Sequence, residues 1–371
     1  MSKSDRCQYV DIMKGWAMLM IIIFHAHNGM ISSSVYSFFH PWDVPVFFII
    51  AGFFLNEKAM EETPVRFMKK KLKTLYIPAT IIYILAVLCH NVFVDLGWYR
   101  LGELHPGNQL PFDYYGVKEF FVGCMKALFC VGSGELVMGA MWFLYTLLYA
   151  FTGLCLLSYI IKIIRMPKEL GGVVLVLGAI ISCILTQKFD ITITRINIAI
   201  TAMLLITIGM LLHQYLKLKY DNVWVFTICL LLFMQCVILQ HVTIVMARNS
   251  YQDLFQLCIG SCCVVYVLGY IAKKIERTLV GFFLSWMGRE SLYLMAFHIL
   301  GFFVCSSILW KTGAIAPESG HGMYTYCTRD NWGVLVLYVF CGIFVPFIIM
   351  FVFRQTRAKL ISFVKGEYIK K

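Results

Sequence analysis

Ten long apolar runs, joined by short polar links, limit this chain more than any other feature. They lie near 11–31, 40–56, 75–94, 138–161, 171–187, 196–216, 222–240, 252–272, 291–310 and 332–353. One helical crossing of a bilayer takes about 20 mostly apolar residues. The second run is short and is expected to extend back through Tyr36 to Phe39. Charged residues make up only 14% of the chain, where a soluble domain has about 25%. The pattern predicts an all-α, polytopic integral membrane protein with about ten transmembrane helices. It reads as a single transmembrane domain over 1–371, with a core near 7–355 and a basic tail at 354–371. The first run is too long for a signal-peptide core and has no small-residue cleavage motif after it, so it reads as a retained span. The apolar stretch 118–132 is too short to cross comfortably and reads as a surface or re-entrant helix.

The net charge of +12 would point to nucleic acid in a soluble protein. In a membrane protein it is read loop by loop, because cytoplasmic loops collect Lys and Arg. Twenty-two of the 32 Lys and Arg fall in the termini and alternate loops on one side, and eight on the other. Both termini are therefore expected in the cytoplasm, with membrane lipid and not nucleic acid as the partner. The 14 cysteines are scattered, mostly within apolar runs, without CxxC or Cys/His ligand spacing. Neither a disulfide framework nor a metal site is predicted.

Within the first run, Asp11, Lys14 and His25 interrupt otherwise apolar sequence. The eleven residues from Lys14 to His25 turn a helix by about 1100° and advance it by roughly 16 Å, so both return to nearly one face. Asp11 lies close to the same stripe. Ionisable groups inside a span are costly, which marks them as candidate functional residues. A histidine there can serve as a base. The alternatives are a packing histidine bonded to a neighbour and a lysine that snorkels to the interface.

Further candidates follow along the chain. His40 and Asp43 open the second run and could approach His25. Arg66, Lys69, Lys70, Lys71 and Lys73 form the densest cationic segment, suited to a phosphorylated ligand or to lipid headgroups. Trp142 opens the fourth run. Arg289, Glu290 and Ser291 open the ninth, where Arg289 and Glu290 could satisfy one another, and His298 lies just inside it. Two outer loops, 95–117 and 311–331, mix Trp and Tyr with carboxylates. Such surfaces suit stacking on a polar ring such as a sugar, although aromatic residues also gather at membrane interfaces.

Together these segments resemble the membrane-bound acyltransferase family 3, the bacterial O-acyltransferases that modify surface polysaccharides and related sugars. The resemblance rests on Asp11…Lys14-Gly15…His25, similar to an Arg/Lys-x10-His pattern, and on Val46-Phe-Phe-Ile-Ile-Ala-Gly-Phe53. Trp142-Phe143-Leu144 and Gly288-Arg-Glu-Ser-Leu…His298 complete it, and the last looks most like the fucose 4-O-acetylase-related branch. Lys14 stands where Arg is commoner, Ala51 where Ser is usual, and the basic loop has no clear Arg-x-x-Arg.

The resemblance implies a multi-pass protein of the bacterial inner membrane. It would move an acyl group, most simply acetyl from cytoplasmic acetyl-CoA, to a sugar hydroxyl of a polysaccharide or lipid-linked glycan. His25 and Asp11 become the candidate catalytic residues. Lys14, Arg66, Lys69, Lys70 and Lys73 become the acyl-CoA contacts, and Asp43, Trp142, Arg289, Glu290, Ser291 and His298 the candidate substrate contacts. The donor is expected in one tunnel from Lys14 to His25. There His25 would act as general base or carry the acyl group itself. The rival reading is a proton-coupled transporter or channel built on Asp11, Lys14 and His25. Against it stands the lack of an inverted repeat in the sequence.

Overall fold

The computed structural model describes residues 7–26, 33–55, 57–99, 101–102, 113–130, 135–191, 195–239, 244–251, 253–314 and 331–364. Lipid offers the backbone no hydrogen-bond partners, so each apolar run must satisfy its own N–H and C=O groups by coiling. The helices run as α1 (Gln8–Ala26), α2 (Ser33–Phe53), α3 (Glu57–Glu62), α4 (Pro64–Lys71), α5 (Ile77–Leu88), α6 (His90–Asp95), α7 (Val117–Leu128), α8 (Trp142–Ile163), α9 (Lys168–Phe189) and α10 (Ile196–Met210). They continue as α11 (Val223–Met234), α12 (Leu254–Ile275), α13 (Leu279–Arg289), α14 (Ser291–Lys311) and α15 (Trp332–Val364). A two-stranded hairpin, β1 (Ile244–Val245) and β2 (Ser250–Tyr251), precedes α12.

Among the described residues each of the ten runs is mainly helical, and α2 does extend back past Tyr36. Eight helices among the described residues are long and apolar enough to cross a membrane. The second and seventh runs add the shorter apolar stretches Trp42–Phe53 and Val223–Val237. Stretch 118–132 forms the short α7, which lies against α5 with Gly123 facing Val87.

Polar contacts gather the basic links at one end of the bundle. Lys168 Nζ lies 3.0 Å from Glu57 and 2.6 Å from Glu61. Lys162 donates to the Glu61 carbonyl at 3.1 Å, and Gln214 to the Leu55 carbonyl at 2.7 Å. Gln8 donates to the Glu276 carbonyl at 2.8 Å. Arg354, on the part of α15 that continues beyond the apolar run, reaches Glu290 at 2.7 Å.

Helix contact inside lipid depends on close packing, so small residues gather where backbones cross. A Cβ on Gly15 of α1 would sit 1.9 Å from the Leu284 carbonyl oxygen of α13. One on Gly288 would sit 1.8 Å from the Asp11 carbonyl oxygen. The two glycines face each other and let the backbones of α1 and α13 touch. Gly52 of α2 and Gly209 of α10 form a second reciprocal crossing, each 1.9 Å by the same measure from a carbonyl of the other helix.

At the end away from the basic links, the hairpin is tied down by a buried amide. Asn249 adopts φ 51°, a left-handed conformation that Asn tolerates better than most residues. Its Nδ2 donates to Ser182 Oγ and Thr186 Oγ1, both at 3.1 Å. Its Oδ1 accepts from Thr201 Oγ1 at 3.2 Å and from the Tyr251 hydroxyl. One side chain thus fastens the hairpin to α9 and α10.

Two outcomes follow from this packing. Gly288→Ala must push α1 and α13 apart, and overpacking of this kind costs about 1–3 kcal/mol. A lower thermal midpoint for the detergent-purified protein would register it. Asn249→Gly keeps the backbone conformation but removes one partner each from Ser182, Thr186, Thr201 and Tyr251, at a cost of about 1–3 kcal/mol. Proteolysis within 244–251 should become faster while the helices stay resistant.

Candidate functional site

α1 carries Lys14 near the basic end and His25 near the opposite end. At the His25 end, a cleft of about 90 Å³ is lined by Ile21 and His25 of α1, Asp43 and Val44 of α2, and Met295 of α14. Ala140, Trp142, Phe143 and the hairpin residues Ile244 to Ala247 complete its walls. The sequence candidates His25, Asp43 and Trp142 therefore meet, although 117 residues separate the first from the last.

His298 stands behind His25, fully buried. His25 Nδ1 and His298 Nε2 are 2.9 Å apart, and His298 Nδ1 lies 2.8 Å from the Leu294 carbonyl oxygen one turn earlier in α14. A carbonyl only accepts, so His298 Nδ1 carries a hydrogen and donates it to Leu294. Asp43 is also buried, and its Oδ1 accepts from the Val44 amide at 2.6 Å. The guanidinium of Arg195, just before α10, lies 5.9 Å from the centre of the Trp142 ring. In the sequence Arg195 is only one of eight outer cations, and no local motif marks it.

Other candidates fall elsewhere. Asp11, the second catalytic candidate, lies about 21 Å further down the helix axis than His25. Its carboxylate is 3.6 Å from Lys14 Nζ. Sharing a stripe places two residues on one face without placing them at one height. Lys14 is half-buried and sits 5.5 Å from the ring centre of Phe54. Phe54 borders a separate shallow depression with Leu55, Glu57, Lys58 and Gln214. That depression and the His25 cleft share no lining residue. Met18 and Ile21, on the α1 face between Lys14 and His25, are both buried, and Ile21 also lines the cleft.

Arg289, Glu290 and Ser291 sit at the α13–α14 junction and not in the cleft. Ser291 is seven residues before His298, a rise of about 10 Å toward the basic end. Glu290 pairs with Arg354 in place of Arg289, which is exposed. Arg66, Lys69, Lys70 and Lys73 are all exposed on α4 and the wide turn after it. Lys71 alone turns inward, 3.5 Å from the ring centre of Phe151.

The outer-loop aromatics are largely spent on packing. Trp98 donates to Ser307 Oγ at 2.7 Å and stacks on Phe93 and Phe303. Tyr99 donates to Glu135 at 3.0 Å, and Tyr115 stacks on His90 at 3.4 Å. Burial, and then the Glu135 carboxylate, push both phenols up from their ordinary pKa, so they remain donors. His90, fully buried, has Nδ1 3.1 Å from both Glu135 oxygens and Nε2 2.9 Å from the Asp113 carbonyl. Tyr114 is exposed and donates to Asp95 at 2.8 Å. The side chain of His40 and the outer-loop stretches 103–112 and 315–330 lie outside the described residues.

This is a polar pair of imidazoles at the edge of a small cleft in a membrane bundle, equipped to accept a proton there. No curated protein and no solved structure gives a match. Nothing in the fold or the family comparison supports the transporter alternative. The model of the acyltransferase 3 family, described as an acyltransferase domain, matches residues 8–352. The chain belongs to that family and is a multi-pass membrane acyltransferase.

Proposed function

We propose that this acyltransferase moves an acetyl group from acetyl-CoA to a sugar hydroxyl of a surface polysaccharide or a lipid-linked glycan precursor, in a bacterial inner membrane. The observation that carries the reading is the position of His25. It lines a cleft at the end of the bundle opposite the basic links, with Asp43 and Trp142. An indole face suits a sugar ring, and a carboxylate suits its hydroxyl groups. The cleft is small, about 90 Å³. It favours a short acyl group over a long chain.

The donor approaches from the basic end, which the positive-inside rule assigns to the cytoplasm. Lys14 and the exposed Arg66, Lys69, Lys70 and Lys73 attract its phosphates. The thioester arm follows the α1 face, where the rise from Lys14 to His25 is roughly 16 Å. Met18 fills that face at rest. Its unbranched, flexible side chain is suited to yielding. At the cleft, the acceptor oxygen attacks the thioester carbonyl carbon and its proton passes to His25. The C–S bond then breaks, and the proton leaves His25 for the coenzyme A thiolate.

His25→Ala should lower transfer of label from radioactive acetyl-CoA to membrane glycan by about 10²–10⁴-fold, with normal yield of folded protein. Full activity in that variant would refute the reading. Lys14→Ala removes a charge-assisted contact of about 1.5–3 kcal/mol, so the apparent KM for acetyl-CoA should rise by about 10–100-fold. Saturation curves that superimpose on the wild type would remove Lys14 from donor binding.

A further inference from the structure

From the pairing of buried His298 with half-buried His25, and resting on the proposed transfer reaction, we infer that His298 is a positioning residue. It fixes the tautomer of His25 and shares the proton that His25 accepts.

The geometry leaves one arrangement for the neutral pair. The Leu294 carbonyl claims the hydrogen of His298 Nδ1 at 2.8 Å. A neutral imidazole has one hydrogen, so His298 Nε2 holds a lone pair. The atom 2.9 Å from it, His25 Nδ1, must then donate. His25 Nε2 is left with the lone pair. The 5.2 Å separation of ring centres equals the N···N distance plus one ring radius on each side, and the ring planes differ by only 11°. The two rings therefore meet edge to edge in nearly one plane, and the N–H points along the partner's lone pair. The contact is a directed hydrogen bond and not a face-to-face stack.

This order has a chemical result. The backbone of α14 sets His298, His298 sets His25, and His25 Nε2 is the base. When the acceptor hydroxyl proton arrives at Nε2, His25 becomes a cation with hydrogens on both nitrogens. Its Nδ1 hydrogen already lies on the line to His298 Nε2, so the charge spreads over two rings. His298 with both nitrogens protonated still has an acceptor on each side, His25 Nδ1 and the Leu294 carbonyl. As the C–S bond breaks, the thiolate takes the hydrogen from His25 Nε2 and the pair returns to its starting tautomers. One proton enters and one leaves, and no other group changes state.

Two substitutions separate this role from simple packing. His298→Ala removes both the acceptor and the store for the proton. His298→Gln keeps an acceptor, because its Oε1 can occupy the place of Nε2. Initial rates are read in membranes carrying the full chain and its native glycan, with radioactive acetyl-CoA varied. His298→Ala should lower the apparent kcat by about 100-fold and leave the apparent KM for acetyl-CoA within about threefold. His298→Gln should recover at least about tenfold of that loss. The inference is overturned if His298→Ala keeps more than about a third of wild-type kcat, or if folded His298→Gln is as inactive as His25→Ala. Should His298→Ala fail to insert, His298→Gln decides alone: within about tenfold of wild type supports the lock, and a rate equal to that of His25→Ala overturns it. Activity lost in His25→Ala but kept in His298→Ala would sink the lock alone. No transfer by the wild type would sink the lock and the reaction together.

Discussion

Backbone touches backbone where Gly15 of α1 meets Gly288 of α13, and this contact joins the helix of His25 to the helical path that leads to His298. With no side chain on either residue, α1 and α13 approach until Cβ positions would fall within 2 Å of the opposing carbonyls. α14 continues from α13 after the break at Glu290. His25 lies ten residues beyond Gly15, and His298 ten residues beyond Gly288. The helix that carries His25 and the helical path that leads to His298 thus touch at these glycines and again at the imidazoles, 2.9 Å apart.

The same reasoning separates what sequence can show from what it cannot. The apolar runs were legible because lipid forces each of them to coil, whatever its neighbours do. His25 and Lys14 were legible because charge and polarity are rare inside a span. The partnership of His25 with His298 was not: 273 residues separate them, and no local pattern announces a contact between distant helices. Periodicity alone does not assign Asp11 its role. It shares the stripe of Lys14 and His25, and height along the axis puts it with Lys14, 3.6 Å from the Nζ.

The polar residues outside the cleft show how such a bundle tolerates them. Glu290 is held by Arg354, from the stretch of α15 that runs past its apolar run. Asn249 meets four partners on three elements. Glu135 receives Tyr99 and faces His90. A buried polar group is costly mainly when it lacks a partner, so the Asn249 and Glu135 clusters bind the outer links to the bundle. Aromatic residues that look like a ligand platform in the sequence are absorbed by this work. Trp98 and Tyr99 cannot both fill the interior and offer their faces to a sugar. Trp142 can, because the start of α8 leaves it half-buried at the cleft.

A neutral histidine as the partner of a catalytic base differs in kind from a carboxylate. A carboxylate directs the tautomer and adds a permanent negative charge, which an apolar bundle must pay to keep. His298 directs the tautomer through the Leu294 carbonyl, a dipole that the helix supplies in any case. The pair adds no resting charge to its surroundings. Charge is present only while a proton is in transit, and two rings then share it. The arrangement suits a base set within a membrane protein, where the cost of a standing ion is high and the need for one is brief.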